Sequence, residues 1–176
     1  MAFRLKRINW RLLGLHLLSL PFLVLGMQQL FLIRHLDYAI SITKLRTLSG
    51  RDFITHFTLP AGYQSIAQLV FEMEMRDGLA ILVALIIACI LSGLIAWRRR
   101  ESLLLPLLLF LGHFLYNLSG FYTEPAVKST IGFLHGSLLA PNAKMRLAIT
   151  GVILLVVGLL PFFFSWRRPI TLQTQK

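Results

Sequence analysis

The sequence predicts an all-α, polytopic membrane protein. It should hold four transmembrane helices in an antiparallel bundle, with both termini cytoplasmic and helical segments in the extracytoplasmic loops. Three observations carry this. First, four apolar stretches each approach the ~20 residues that cross ~30 Å of hydrocarbon. They hold most of a composition that is 56% hydrophobic and only 14% charged, with mean hydropathy +0.72. A soluble domain carries about 25% charged residues. Second, ten of the 18 Lys and Arg lie in three short segments. These are Arg4, Lys6, Arg7 and Arg11; Arg98, Arg99 and Arg100; and Arg167, Arg168 and Lys176, opposed only by Glu101. The positive-inside rule puts all three segments in the cytoplasm. Third, Trp10, Trp97 and Trp166 each stand beside an arginine at the same ends of three spans, as interfacial aromatic belts require.

The first span covers about 12–33. Its apolar run is about 22 residues, longer than the ~7–15 of a signal-peptide core, and no A-x-A-like site follows, so an uncleaved anchor is expected. Pro21 should kink it, with neighbouring helices satisfying the freed carbonyl. The second span, 78–97, is free of charge. A turn of about five residues separates it from the third, 103–122, so these two are antiparallel neighbours. Ser102 is the expected N-cap of the third helix. Phe121 and Tyr122 would mark the opposite interface. The fourth span covers 145–166. Gly26, Gly93, Gly151 and Gly158 are expected where helices pack closely.

The outer loops, about 34–77 and 123–144, are not simple coil. Only Pro21 interrupts the stretch from Leu12 to Leu48, and Ser49-Gly50 forms a stop signal. Ile66, Leu69, Val70 and Met73 recur at helical spacing. Helices one and two should therefore project past the bilayer, joined by residues 49–62, as a small cap. In the second loop Val127, Ile131, Leu134 and Leu138 recur at helical spacing after Pro125, predicting a short interfacial helix. Pro141 and Asn142 should start the fourth helix, and residues 169–176 form a loose tail. No internal repeat appears, so 1–176 is one four-helix domain.

Several function classes drop out. The net charge is +11, but its placement follows topology, and no nucleic-acid partner is expected. Cys89 is the sole cysteine, which excludes an internal disulfide and a thiolate-rich metal site. Disulfide-generating quinone reductases of similar length and topology need cysteine pairs in their outer loops, so they are excluded too. No G-x-S-x-G elbow, phosphate loop or dinucleotide fingerprint is present. His35, His56 and His135, with Asp37, Asp52 and Glu124, show no H-E-x-x-H spacing. No metal or cofactor is expected.

Two groups remain. His113 stands mid-span, where an ionisable side chain is costly. Asn117 shares its face one turn on, with Tyr116 adjacent and His16 and Ser19 in the first span. These residues form either a ligand-binding or proton-relaying seam or an interhelical lock, and the lock is the favoured reading. Asn117-Leu118-Ser119 matches a glycosylation sequon but lies too deep to be modified. Gln28 and Gln29 should meet headgroups or the cap. Outside, Glu72, Glu74, Arg76 and Asp77 cluster where the second helix enters the membrane. Glu72 and Arg76 have ion-pair spacing. Glu74 and Asp77 could face one site for acid/base chemistry or a divalent cation, against the simpler reading of a solvated helix end.

The expected function is a non-enzymatic accessory or scaffold protein packed against a larger membrane protein; a homo-oligomer is the partner expected under the transport alternative. The alternatives are a small-molecule or lipid binding or transport protein using the third-span seam, and a membrane enzyme using the outer carboxylates and histidines. In size and topology alone, without a shared residue pattern, the chain is similar to the small membrane proteins that accompany exosortases. That similarity implies a bacterial inner-membrane partner.

Overall fold

The computed structural model of the chain describes residues 8–36, 59, 62–121, 124, 127 and 142–167, without the side chain of His35. The described residues form four α-helices: α1 (Trp10–Leu32), α2 (Ile66–Arg98), α3 (Leu105–Leu118) and α4 (Ala143–Arg167). A 3-10 turn, Ile33–His35, continues α1. α1, α2 and α4 are long and apolar enough to cross a membrane.

Local chemistry sets the helix starts. Asn9 caps α1, its side-chain oxygen accepting from the Leu12 amide at 3.2 Å. Ser65 caps α2 through the Gln68 amide at 3.1 Å, and the Gln68 side chain reaches back to the Gln64 amide at 3.0 Å. Each pairing satisfies a donor that a helix start leaves open. Asn142 does the same for α4 by accepting from the Lys144 amide at 2.9 Å. The helical spacing of Ile66, Leu69, Val70 and Met73 is realised within α2, which reaches 33 residues. At 1.5 Å per residue that is about 50 Å, well beyond the hydrocarbon width.

α3 departs from expectation at both ends. Ser102 does not cap it. The Ser102 hydroxyl instead accepts from the Leu104 amide at 3.3 Å, inside the turn that follows α2. The chain needs two more residues to reverse, and α3 starts after Leu104, with Pro106 in its first turn, where a missing N–H costs nothing. It stops at Leu118, because Gly120 takes φ +70° and its amide turns back to the Asn117 carbonyl at 3.1 Å. The apolar stretch 103–122 therefore yields a helix of 14 residues. That is about 21 Å long, short of a full ~30 Å crossing.

α1 is the centre of the fold and packs against all three other helices. Its Leu20, Leu23 and Val24 are buried together with Ala84, Ala88 and Ile95 of α2, Leu105 and Leu109 of α3, and Phe162 of α4. Small residues set the closest approaches. A Cβ on Gly26 would lie 3.0 Å from the Gly151 carbonyl oxygen and the Leu155 nitrogen, and one on Gly158 would lie 3.0 Å from the Leu23 nitrogen. Gly93 is different: its nearest neighbour, Pro106, lies at an ordinary 3.5 Å. Gly112, which spacing alone does not single out, lies under Leu17, whose Cδ2 would meet an added Cβ.

The expected extension of α1 can be followed only to Leu36. Apart from Leu59 and Gly62, the joining segment 49–62 lies outside the described residues, as do most of the expected interfacial helix after Pro125 and the tail 169–176.

Candidate functional site

A proline at position 21 leaves the carbonyl four residues back without its helical donor. That carbonyl belongs to Leu17, and the Tyr116 hydroxyl of α3 donates to it at 3.2 Å. Leu17 also lies over Gly112 of the same helix. Gly112 thus brings α3 close, and Tyr116, one turn on, supplies the missing donor. In hydrocarbon no water would do so. Tyr116 is a structural donor to a backbone defect in α1.

The neighbouring polar pair meets within α3. Asn117 Nδ2 lies 2.9 Å from His113 Nε2, the contact that residues four apart on a helix make. A neutral imidazole accepting there carries its proton on Nδ1. His113 is buried, whereas Asn117 is exposed on the helix surface.

His16 stands elsewhere, between α1, α2 and α4. It is fully buried. Its Nδ1 lies 3.0 Å from the Ser92 hydroxyl of α2, and its ring stacks on Phe162 of α4 at 4.4 Å between centroids. His16 Nε2 has no hydrogen-bond partner among the described residues, nor do the buried hydroxyls of Ser19, Thr150 and Ser165. The sequence places His16 and His113 in one group of polar span residues; the structure gives them different partners on different helices.

At the other end of α2, Glu72 is bound on both sides. Arg76 Nη2 donates to one carboxylate oxygen at 2.6 Å, and the Tyr63 hydroxyl donates to the other at 2.6 Å. Glu74 and Asp77 have different surroundings. Asp77 accepts from Gln28 Nε2 of α1 at 3.1 Å, and Glu74 is exposed. Gln28 thus ties two helices together. The Glu72–Arg76 side chains are about one-third exposed, so solvent screens the pair. Glu72→Gln should lower stability by no more than about 1 kcal/mol in detergent unfolding. A loss of several kcal/mol would mean that Glu72 belongs to a buried functional site.

Sequence reasoning missed the junction at the arginine-rich end. Asn9 Nδ2 donates to Glu101 Oε1 at 2.9 Å, fastening the start of α1 to the turn after α2. Arg99 Nη1 reaches the Ser165 carbonyl at 3.5 Å. Arg98 lies over the Trp166 ring and Arg167 over Phe163, each 4.3 Å from the centroid. The only signal in the sequence is the arginine–tryptophan adjacency, which gives depth but no partner.

Among the described residues no three His, Cys, Asp or Glu side chains come together to hold a metal ion. His56, His135, Asp37, Asp52 and the His35 side chain lie outside the description. Cys89 is a free thiol beside the Pro106 carbonyl, 3.5 Å away.

Three helices long and apolar enough to cross a membrane place the chain in the class of helical membrane proteins. No protein-family model matches it, and it matches no curated protein and no solved structure.

Proposed function

We propose that the chain is a non-enzymatic accessory protein of the bacterial inner membrane, packed against a larger membrane protein such as a processing or sorting enzyme. On this reading the apolar helices form an antiparallel bundle that crosses the bilayer four times with both termini cytoplasmic. Opposed pairings support that arrangement: Gly26 faces Gly151 while His16 faces Phe162, and Gln28 meets Asp77 while His16 meets Ser92.

One observation carries the accessory reading. Among the described residues, most of the polar groups suited to chemistry are bound to other groups of the chain, His16 Nε2 being an exception. Tyr116 serves Leu17, Asn117 serves His113, Ser92 serves His16, and Glu72 serves Arg76 and Tyr63. What the molecule offers to the outside is surface. α3 exposes Phe110, Leu111, Phe114 and Leu118, with Asn117 among them. A polar amide on an otherwise apolar helix face suits a neighbouring helix that can bond to it. α3 is also the shortest of the four, so a partner would fill the bilayer depth it leaves.

The test is affinity purification in mild detergent with mass spectrometry of the retained proteins. A stoichiometric membrane partner, reduced by Phe110→Ala with Phe114→Ala at unchanged melting temperature, is the expected result. A homo-oligomer with no other protein bound would overturn it. That outcome would favour the ligand-binding alternative, for which the unpartnered His16 Nε2 is the specific motive.

A further inference from the structure

The arginine-rich end of the bundle holds a groove of about 630 Å³ lined by Trp97, Arg98, Arg100, Glu101, Leu103 and Trp166. An entirely apolar cleft of about 280 Å³ runs on from it between α2 and α4, along Leu91, Ile95, Leu159, Phe162 and Phe163. Leu94 and Trp166 line both. A charged mouth thus opens into a hydrocarbon slot along the helices.

We propose that this groove is a binding site for one anionic diacyl phospholipid. The phosphate meets Arg98 and Arg100, and an acyl chain lies in the cleft between α2 and α4. Charge complementarity selects the occupant. Both arginines are exposed, and Arg99 and Arg167 add to the same field. The one acid in the groove, Glu101, already accepts from Asn9. The Arg98 guanidinium carbon lies 4.3 Å from the centroid of the Trp166 ring, a contact that makes no use of the carboxylate- and phosphate-binding N–H fork of the guanidinium. A choline headgroup would bring its own cation into this field; a glycerol headgroup would not. Basic pockets between membrane helices hold anionic lipids by this arrangement.

The turn adds a device for testing the site. Arg100 has φ +55°. Its amide bonds the Trp97 carbonyl at 3.1 Å, and the Glu101 amide bonds the Ala96 carbonyl at 2.8 Å. This is a left-handed helix end that glycine would occupy with less strain. Arg100→Gly therefore removes a charge from the groove while relaxing the backbone.

The protein is delipidated in detergent and offered palmitoyl-oleoyl phosphatidylglycerol or the matching phosphatidylcholine, with bound lipid read by native mass spectrometry. One phosphatidylglycerol should be retained in preference. Arg98→Gln with Arg100→Gln should lower that preference about tenfold or more. Arg100→Gly should lower it about threefold with the melting temperature unchanged or raised. Leu94→Trp, which fills the slot, should weaken lipid retention, and glycerol phosphate alone should not compete. Equal retention of the two lipids overturns the proposal, as does full competition by glycerol phosphate. An equal loss of preference in the control Lys144→Gln with Arg146→Gln, at the start of α4, also overturns it by reducing the effect to bulk charge.

Discussion

Gly26→Val is expected to destabilise the protein by about 2–3 kcal/mol or more, because the added atoms have no space between α1 and α4. A Cβ at Gly26 would lie 3.0 Å from the Gly151 carbonyl oxygen and 3.0 Å from the Leu155 nitrogen. Both are backbone atoms, which cannot swing aside as a leucine terminus can. The two helices must move apart, and the contacts of α1 along α4 loosen together. Such a loss is severe in a membrane, where helix association draws on dispersion contact and interhelical hydrogen bonds and gains nothing from excluding water. Gly158→Val should behave similarly, since its Cβ would stand 3.0 Å from the Leu23 nitrogen. Gly93→Ala is the contrast, with Pro106 at 3.5 Å, and should change stability by less than about 0.5 kcal/mol. Denaturation in mixed micelles would measure all three. Equal losses at Gly26 and Gly93 would mean that the α1–α4 contact is not the tight interface of the fold.

The same glycines show what sequence can and cannot convey. A long apolar run is legible because desolvation of the backbone forces it into a helix whatever its neighbours are. The helices at α1, α2 and α4 follow from that alone. The length of α3 does not, because its end depends on Ser119 and Gly120 adopting a turn inside a stretch that hydropathy carries on to Tyr122. Gly26, Gly151 and Gly158 can be singled out because small residues tend to be interfaces. That Gly93 makes only ordinary contact, and that Gly112 lies beneath Leu17, depends on which helix stands opposite.

Local pairs were legible for the same reason. Glu72 with Arg76, and His113 with Asn117, are four apart on one helix, so the helix itself brings them together. His16 with Ser92, Gln28 with Asp77 and Asn9 with Glu101 join distant positions. Nothing in the spacing of one segment encodes the register of another.

Tyr116→Phe is the substitution in which this long-range chemistry should be most visible. It removes one oxygen and leaves the Leu17 carbonyl, already deprived of a helical donor by Pro21, without a partner in a water-free setting. An unsatisfied buried acceptor costs roughly 1–3 kcal/mol, and interhelical hydrogen bonds in membranes average about 0.6 kcal/mol with a maximum near 1.7. A loss of about 1–2 kcal/mol is therefore expected. Lost ring packing would give a similar number, so the single variant does not decide the cause. Pro21→Ala does. Alanine restores an N–H that can bond the Leu17 carbonyl as in any helix, and the tyrosine hydroxyl then serves no unpaired group. In that background Tyr116→Phe should cost close to nothing, giving a coupling of about 1 kcal/mol in the double-mutant cycle. The cycle cancels any repacking that Pro21→Ala causes by itself. If Tyr116→Phe cost the same with and without Pro21, the hydroxyl would not be acting on the proline defect. The tyrosine would then have to be reassigned to the polar seam with His113 and Asn117, where a ligand becomes the better explanation for three polar side chains on one short helix.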